Sequence, residues 1–487
     1  MIDFKIPEEN HGRLLVPDYV EIPSAIERNN KRLENLNGSI SGIPLLEFRK
    51  RVHWRIADLI RMRKGINHPI LMTAHQPGFW HPGILYKIAV AKKFAGKYFL
   101  LNVNVDSDVL SPVSSRIPFF EDGRFNFEEI ILIQNKEEQI IERLEKPSKA
   151  LLDFFLNKIY ERISTIPDSL IRECFLRFKK ICNEQYEYGN SISHLLTSIR
   201  REYFPLPELN ELDLSSICNT EEFRLFLWDI LSNCKRFHEV YNSCLDRYRE
   251  HHKIRYKVYP FPNLDKKSDD LLELPLWFIT DTGKRENIFA SCGDNIVISA
   301  GENINNTIVV DPESLKKYQM RPKALVLTMF MRMFASSIFI HGVSGGNYDE
   351  VTDFFIREYY HCEPPEYIIA SKTEFLNIGE CENINNMLKK AKAELRNMRF
   401  NPDEYVPADN PLVIEKKAII AKSGNNTSKE EFLRLKEIRL ILVKKIEKQI
   451  TAKEREIEYI ENEKTKIERI QRRDYPYFLF PIEQLEN

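Results

Sequence analysis

Residues 70–103 read ILMTAHQPGFWHPGILYKIAVAKKFAGKYFLLNV. The apolar run 70–74 predicts a short buried strand, and the HQPG that follows it is a turn signal. From Gly83 onward the residues have helical character, and 98–103 predict a second buried strand. A strand, a turn, a helix and a second strand within about 35 residues form the repeating unit of a parallel sheet. This stretch therefore predicts an α/β fold.

Further short apolar runs extend the predicted sheet. They fall at residues 129–133, 276–279, 296–299, 307–310, 338–341 and 367–370. We therefore expect an α/β protein with a Rossmann-like parallel-sheet core, helical connector insertions and a C-terminal α-helical coiled coil. The expected segments are an N-terminal helical segment (1–65), the first part of the core (66–135), a helical connector (136–260), the second part of the core (261–375) and the coiled coil (376–487), whose apolar tail, 475–481, returns to the core.

The C-terminal segment is predicted to contain one long helix. Ser428 and Glu431 have the spacing of a capping box, so the helix is expected to begin there and to run to about Arg473. Its apolar residues recur mostly at three-, four- and seven-residue gaps, which is typical of a coiled coil. They are Leu435, Leu442, Ile446, Ile450, Ile457, Ile460 and Ile467. The partner is either the helix beginning at Pro411, turned back by residues 423–427, or a second copy of the chain in a homodimer.

The composition is that of a globular protein without a global charge bias. Of the 487 residues, 43% are hydrophobic and 29% are charged, and the formal net charge is −1. We therefore expect a small-molecule substrate, and neither nucleic acid nor a membrane as partner. The N-terminus has no signal-peptide pattern and Arg332 interrupts the apolar stretch 324–340, so a cytoplasmic location is expected. The eight cysteines form no CxxC pair, so the usual spacing of a structural zinc site is absent and no residue is assigned as a metal ligand.

Polar residues and glycines separate the first predicted strand from its helix. Ligands of open α/β sheets bind beyond the carboxyl ends of the strands, and a helix N-terminus offers free N–H groups to an anion. His75 and His81 are candidate catalytic residues, because imidazole can stabilise charge or move a proton near neutral pH. The candidate substrate- and anion-binding residues in this stretch are Gln76, Gly78, Gly83 and Lys87. The alternative is a rigid turn whose histidines only cap the helix.

Two carboxylates follow the second predicted strand. Asp106 and Asp108 lie two residues apart at the end of that strand and are further candidate catalytic residues. Such a pair can hold Mg²⁺, a substrate amine or sugar hydroxyls. The alternative is an Asx turn, in which the carboxylates serve only the local backbone.

A Gly-rich turn follows the predicted strand 338–341. A strand that runs into glycines and then into a helix has the geometry for cradling an anion, although the Lys-Ser/Thr of a Walker motif is missing. The candidate anion-binding residues here are His341, Gly345, Gly346 and Asn347. A tight strand-to-helix turn is the alternative. Arg321, just before a helix-starting proline, is a further candidate, because arginine pairs bidentately with carboxylates and phosphates.

The order of these motifs resembles the BshC family, the cysteine-adding enzymes of bacillithiol synthesis. The stretches that carry the resemblance are TAHQPG (73–78), NVDSD (104–108), LPLWFITDTGKR (274–285), DPESL (311–315), MRP (320–322) and IHGVSGGNY (340–348). The resemblance covers most of the chain from about residue 65. A shorter stretch, HQPGFWHPGILYK (75–87), is similar to the start of WbqC-like proteins of glycan biosynthesis.

The resemblance implies a Rossmann-like core, a coiled-coil domain and ligation of cysteine onto a sugar-linked carboxylate. It also implies binding of ATP or another nucleotide and dimerisation through the coiled coil. We therefore expect a ligase or transferase that works through a nucleotide-activated intermediate. Two alternatives stay open at this point: a nucleotidyltransferase of glycan or small-molecule biosynthesis, and a non-catalytic assembly protein organised by the coiled coil.

Overall fold

The structure is a computed structural model that describes residues 4–121, 124–293, 295–301, 307–377, 381–423 and 428–486. Its strands are β1 (Arg13–Val16), β2 (Ser39–Ile40), β3 (Ile43–Pro44), β4 (Ile70–His75), β5 (Phe99–Asn104), β6 (Val113–Glu121), β7 (Arg124–Ile133), β8 (Leu209–Asp213), β9 (Leu272–Ile279), β10 (Arg285–Cys292), β11 (Ile296–Ala300), β12 (Thr307–Val310), β13 (Met320–Pro322), β14 (Ile338–His341) and β15 (Tyr367–Lys372).

Helices alternate with these strands and dominate the C-terminal part. They are α1 (Ile22–Glu34), α2 (Leu45–Leu59), α3 (Pro82–Lys92), α4 (Lys149–Ser164), α5 (Ser169–Gln185), α6 (Ile192–Tyr203), α7 (Leu214–Cys218), α8 (Glu221–Ser232), α9 (Cys234–His251), α10 (Ala324–Phe330), α11 (Val343–Tyr360), α12 (Cys381–Phe400), α13 (Pro411–Ser423), α14 (Lys429–Lys445), α15 (Glu447–Ile470) and α16 (Ile482–Glu486). The protein is therefore mixed α/β. None of the helices in the described ranges has both the length and the apolar character that crossing a membrane requires.

The central sheet has the strand order β1-β15-β14-β4-β5-β8. All its neighbouring strands are parallel except β1, which runs antiparallel to β15. Leu71 faces one apolar core, whereas Ile70 and Met72 face the other. A strand covered on both faces has no polar side, which explains the continuous apolar run at 70–74. The predicted unit of strand, helix and parallel strand over 70–103 is confirmed as β4, α3 and β5.

Two strands of this sheet were not predicted. β8 lies inside the stretch 136–260, where only helices were expected, and β1 lies inside 1–65. The sequence of β8, LNELD, is mostly polar because it forms the edge of the sheet beside β5. Its pairing with β5 holds it in place, so it needs no apolar run, and a search for such runs misses it.

A second, antiparallel sheet has the order β12-β11-β10-β9-β13. It contains the strands predicted at 276–279, 296–299 and 307–310, which therefore do not join the parallel sheet. The residue run 280–284 makes the hairpin turn between β9 and β10, where the N–H of Thr280 donates to the carbonyl of Lys284 at 3.0 Å. The strand predicted at 129–133 lies in β7, which pairs with β6 alone.

The C-terminal helices pack against one another within the chain. The capping box of Ser428 and Glu431 is confirmed at the start of α14. The predicted long helix is broken at Ile446, where the apolar seam changes partner from α13 to α12. Beyond the break, α15 packs on α12 through Ile457 and Ile460. Residues 424–427 and the side chain of Ile467, which also belonged to the predicted pattern, lie outside what the structure describes.

The tail after α15 returns to the core, as the sequence predicts. Its buried residues are Tyr475, Tyr477, Phe478, Leu479 and Phe480. The ring of Phe478 stacks on Phe178 of α5 with centroids 3.9 Å apart. The N–H of Tyr477 donates to the carbonyl of Trp80 at 2.7 Å, so the tail also holds the turn that follows β4.

We expect Phe478→Ala to cost about 3–5 kcal/mol of stability, because it empties a buried aromatic site. Urea unfolding followed by far-UV circular dichroism measures this cost. Phe154→Ala is the matched control, since the Phe154 ring on α4 is 63% exposed and its loss should change stability by less than about 0.5 kcal/mol. Equal losses in the two variants would show that the tail is not part of the core.

Candidate functional site

A cavity of about 790 Å³ opens at the carboxyl ends of the parallel strands, against the antiparallel sheet. Its walls include the turn after β4, the loop after β5, the start of α11 and part of β9. Eight of the predicted site residues line it: His75, Gln76, His81, Gly83, Lys87, Asp108, His341 and Gly345. The turns that follow β4 and β14 therefore share one cavity, because these two strands are parallel neighbours.

The structure places five predicted site residues away from the cavity. Asp106 accepts hydrogen bonds from the backbone N–H and the hydroxyl of Ser215, so it joins the loop after β5 to the start of α7. Burial raises the pKa of Asp106 to about 7. Arg321 is 1% exposed and pairs bidentately with Glu142, at 2.8 and 3.0 Å. Both were expected to contact substrate, and both instead form internal links.

Of the other three displaced residues, Gly78 is in the turn after β4, and Gly346 and Asn347 are near the start of α11. Asn347 bonds the backbone N–H and carbonyl of Phe4, both at 3.0 Å, so it fastens the N-terminal segment. A side chain at Gly346 would overlap Ile369, so this glycine serves the packing of α11 on β15. A side chain at Gly78 would make ordinary van der Waals contact with Trp80, and Gly78 does not line the cavity. The expectation of anion binding by these three residues is corrected accordingly.

The turn after β4 is fixed by hydrogen bonds to the carbonyl of Gln76. Trp80 Nε1 donates to this carbonyl at 2.7 Å, and His75 Nδ1 lies 3.1 Å from it. Burial lowers the pKa of His75 to about 3, so its imidazole is neutral at pH 7. The Gln76 side chain donates to Asp108, which also pairs with Arg285 at 2.7 Å. Asp106 and Asp108 therefore have different partners: Ser215 for Asp106, and Gln76 and Arg285 for Asp108.

His81 caps α3. Its Nδ1 accepts from the N–H of Gly83 at 3.1 Å, and its carbonyl accepts from Ile84 and Leu85. Burial lowers the pKa of His81 to about 4, so the ring stays neutral and can accept this bond at pH 7. Because Pro82 has no N–H and the N–H groups of Gly83, Ile84 and Leu85 all donate to His81, these donors of the first turn are not left for an anion. The alternative of a capping histidine therefore describes His81, and the expected anion site at this helix end is corrected.

Two cations at the cavity have no acidic partner within the described residues. Lys87 is 4% exposed, and its Nζ donates to the carbonyl of Ala74 at 2.7 Å. Burial lowers its pKa to about 7. Arg473 donates to Ser371 Oγ and the Lys372 carbonyl, both at 3.1 Å, while its Nε has no partner. Burial also lowers the pKa of Arg473. Arg473 is half-buried, and the adjacent Asp474 carboxylate partly opposes the lowering of its pKa. Burying a cation such as Lys87 without a counter-ion is costly, and an anion in the cavity would offset that cost.

The start of α11 faces the same cavity. Its N-cap is Gly342, which has no side chain to accept from the first turn, and Val343, Ser344 and Gly345 line the cavity. The first turn of a helix leaves N–H groups without an intrahelical acceptor, and the helix dipole is positive there. The N–H groups of this first turn therefore face the cavity without a side-chain cap.

His341 lies beneath this helix end. Its Nε2 is 2.9 Å from Asp349 Oδ2, although the two are not aligned as a hydrogen bond. Burial raises the pKa of Asp349, but Arg332 and His341 outweigh burial and hold the pKa at about 2. A side chain at Gly345 would come within 2.9 Å of His341 Nδ1. Glycine at 345 therefore leaves room beside Nδ1, while the Asp349 carboxylate lies next to Nε2.

The opposite wall of the cavity contains the Trp277 indole, which is flanked by the ion-paired side chains of Lys323 and Arg285. Lys323 Nζ lies 4.2 Å from the centre of the Trp277 ring and pairs with Glu273 at 2.7 Å. Arg285 lies on the same ring at 4.8 Å. Sequence reasoning did not single out Trp277, Lys323, Arg285 or Arg473. Trp277 and Arg285 stand within the quoted stretch 274–285, but Arg473 lies in a polar segment that no motif marks.

Comparisons with family models and with curated proteins identify no relative of this chain. No family model matches the sequence, and no curated protein matches it closely enough to count as a relative. Any functional interpretation therefore depends on the geometry of the cavity.

Lys87→Met should remove a pH dependence of stability. The unfolded chain protonates Lys87 up to a pH near 10.5, whereas the folded protein releases that proton above about pH 7. The unfolded state binds more protons between these values, so Lys87 makes stability rise with pH there, by at most about 1.4 kcal/mol per pH unit. Urea unfolding at pH 7, 8 and 9 should show the wild type gaining stability relative to the variant. A constant difference between the two proteins would contradict the buried, unpaired lysine.

His81→Ala should destabilise α3 by about 0.5–2 kcal/mol, because it removes the acceptor for the N–H of Gly83. His81→Asn should restore most of the loss, since asparagine is a good N-cap. Thermal unfolding of the two variants makes the comparison. If asparagine were no better than alanine, the capping role would be refuted.

Proposed function

We propose that the protein is an enzyme, a BshC-like ligase or transferase, that binds an anionic small molecule in the cavity. The observation that carries the proposal is the convergence of Lys87, Arg473 and the start of α11 on one cavity. Preorganised donors of this kind stabilise the charge that develops in acyl- and phosphoryl-transfer reactions, and this stabilisation often contributes most of the rate enhancement. A cavity of about 790 Å³ is large enough for a substrate of drug-like size.

The resemblance supports the same class of enzyme. Every stretch that carries it, except DPESL at 311–315, contributes residues to the cavity lining. We infer that the parallel sheet with its flanking helices is a Rossmann-like core and that α12, α14 and α15 form an intramolecular coiled coil. Both inferences are finer descriptions of a protein whose architecture is mixed α/β.

The substrate anion is the group that Lys87 recognises. A carboxylate or phosphate beside Lys87 Nζ would raise the pKa of Lys87 and keep the amine protonated. Arg473, whose Nε has no partner, would contact the same anion. The free N–H groups at the start of α11 would complete the site. An acyl phosphate or acyl adenylate, the intermediates of ATP-driven condensation, has this charge.

His341 is the proposed general base. The Asp349 carboxylate lies 2.9 Å from its Nε2, which leaves Nδ1 to accept a proton from an attacking amine. His75 and His81, expected at first to be catalytic, are neutral and hold the turn and the helix end. In this proposal they position the site and take no part in proton transfer.

Isothermal titration with ATP, cysteine and sugar phosphates tests the proposal. Lys87→Met should weaken binding of the anionic ligand roughly 10- to 100-fold, the equivalent of one charge-assisted hydrogen bond. Lys92→Met is the matched control, because Lys92 is on the same helix but pairs with Glu486 and does not line the cavity. Unchanged affinity in Lys87→Met, or no binding of any anion to the wild type, would refute the proposed site.

Turnover assays then identify the reaction. Cysteine-dependent release of AMP or ADP would support a ligase of the BshC type. Pyrophosphate release from a nucleoside triphosphate without any amino acid would instead identify a nucleotidyltransferase. His341→Gln should abolish either turnover while leaving ligand affinity within about threefold, because it removes the base and not the anion contacts.

A further inference from the structure

Two histidines and a glutamate converge on the outer side of α11, away from the cavity. His251 and His252 stand at the end of α9, and Glu350 is in the second turn of α11. His251 Nδ1 lies 2.9 Å from Glu350 Oε1, and His252 Nε2 lies 2.6 Å from Oε2. One ligand atom from each of the three residues falls within 4.8 Å of the others. None of the three residues lines the cavity.

We propose that His251, His252 and Glu350 bind a transition-metal dication, with Zn²⁺ as the best fit. Two imidazoles and a carboxylate, with a fourth position left to water, are a ligand set that zinc takes in proteins. Mg²⁺ and Ca²⁺ prefer ligand sets made of oxygen alone. The proposal goes beyond the function proposed above, since it concerns a separate set of residues.

The distances suit a tetrahedral ion after a small rearrangement. Bonds of about 2.0–2.2 Å place neighbouring ligand atoms roughly 3.3 Å apart. The two histidine–glutamate pairs, now 2.9 and 2.6 Å apart, must open slightly, and the widest pair must close from at most 4.8 Å. The side chains of His251, His252 and Glu350 are 49%, 21% and 28% exposed, so they have room to move and an ion can enter from solvent.

The two helices are already held in register beside the site. Tyr248 donates from its hydroxyl to the carbonyl of Asn347 at 2.9 Å, and the Tyr248 ring lies 4.3 Å from that of His252. This contact fixes the end of α9 against the first turns of α11, so the ligands are presented before the ion arrives. Bound metal would therefore clamp α9 to α11 and steady the helix start that forms one wall of the cavity.

Zinc binding to the full chain, by competition with a chromophoric chelator, tests the proposal. The apo protein should take up one equivalent of Zn²⁺, with a rise in the thermal midpoint, and a large excess of Mg²⁺ should not displace it. Glu350→Gln and His252→Ala should each weaken zinc binding at least roughly tenfold, because each removes a ligand. Circular dichroism and the metal-free thermal midpoint establish that the variants are folded.

Two control variants make the result specific. His11→Ala removes the pair of His11 with Glu374, 2.6 Å apart and not part of the proposed zinc site, and should leave zinc affinity unchanged. Lys87→Met should also bind zinc normally, which separates this site from the anion cavity. The proposal is overturned if the wild type binds no zinc, or if folded Glu350→Gln binds it as tightly as the wild type does.

Discussion

The parallel pairing of β4 with β14 is the constraint on which the site depends. In its register Leu71 faces Ile338 and Thr73 faces Ile340, so both strands end at the same edge of the sheet. The chain leaves β4 at His75 into the turn that precedes α3, and it leaves β14 through Gly342 into α11. Residues more than 260 positions apart are brought to one cavity by this pairing. The buried runs of both strands secure the register, because a slip would exchange side chains between the two cores.

Buried positive charge gives the cavity its chemical character. Asp108, Glu273 and Glu142 neutralise Arg285, Lys323 and Arg321, respectively. Lys87 and Arg473 are left with neutral oxygen acceptors only, within the described residues. The fold places these two cations where an anion can reach them, and it directs the free end of α11 at the same space. The helix starts at the cavity thus differ: the side chain of His81 caps α3, whereas Gly342 provides no side-chain cap for α11.

The sequence predicts the parts of this arrangement that depend on local pattern. The apolar runs at 70–74, 98–103 and 338–341 identify β4, β5 and β14, whereas Gly345 and Gly346, expected in a turn, lie in the first turn of α11. Tertiary partners decide the rest. The sequence makes Arg321 a candidate ligand-binding residue, but in the structure Arg321 pairs with Glu142. Asn347 is likewise a candidate, and in the structure it bonds the backbone of Phe4. No local pattern marks Arg473, since the returning tail brings it to the cavity. The polar edge strand β8 is missed for the same reason.

Crystals soaked in selenate offer the most direct measurement of the central claim, because anomalous scattering locates the anion without reference to activity. We expect a peak inside the cavity, within hydrogen-bond distance, about 3 Å, of Lys87 Nζ and of a backbone N–H at the start of α11. Peaks confined to the protein surface, with none beside Lys87, would contradict the claim that this cavity is built to hold an anion.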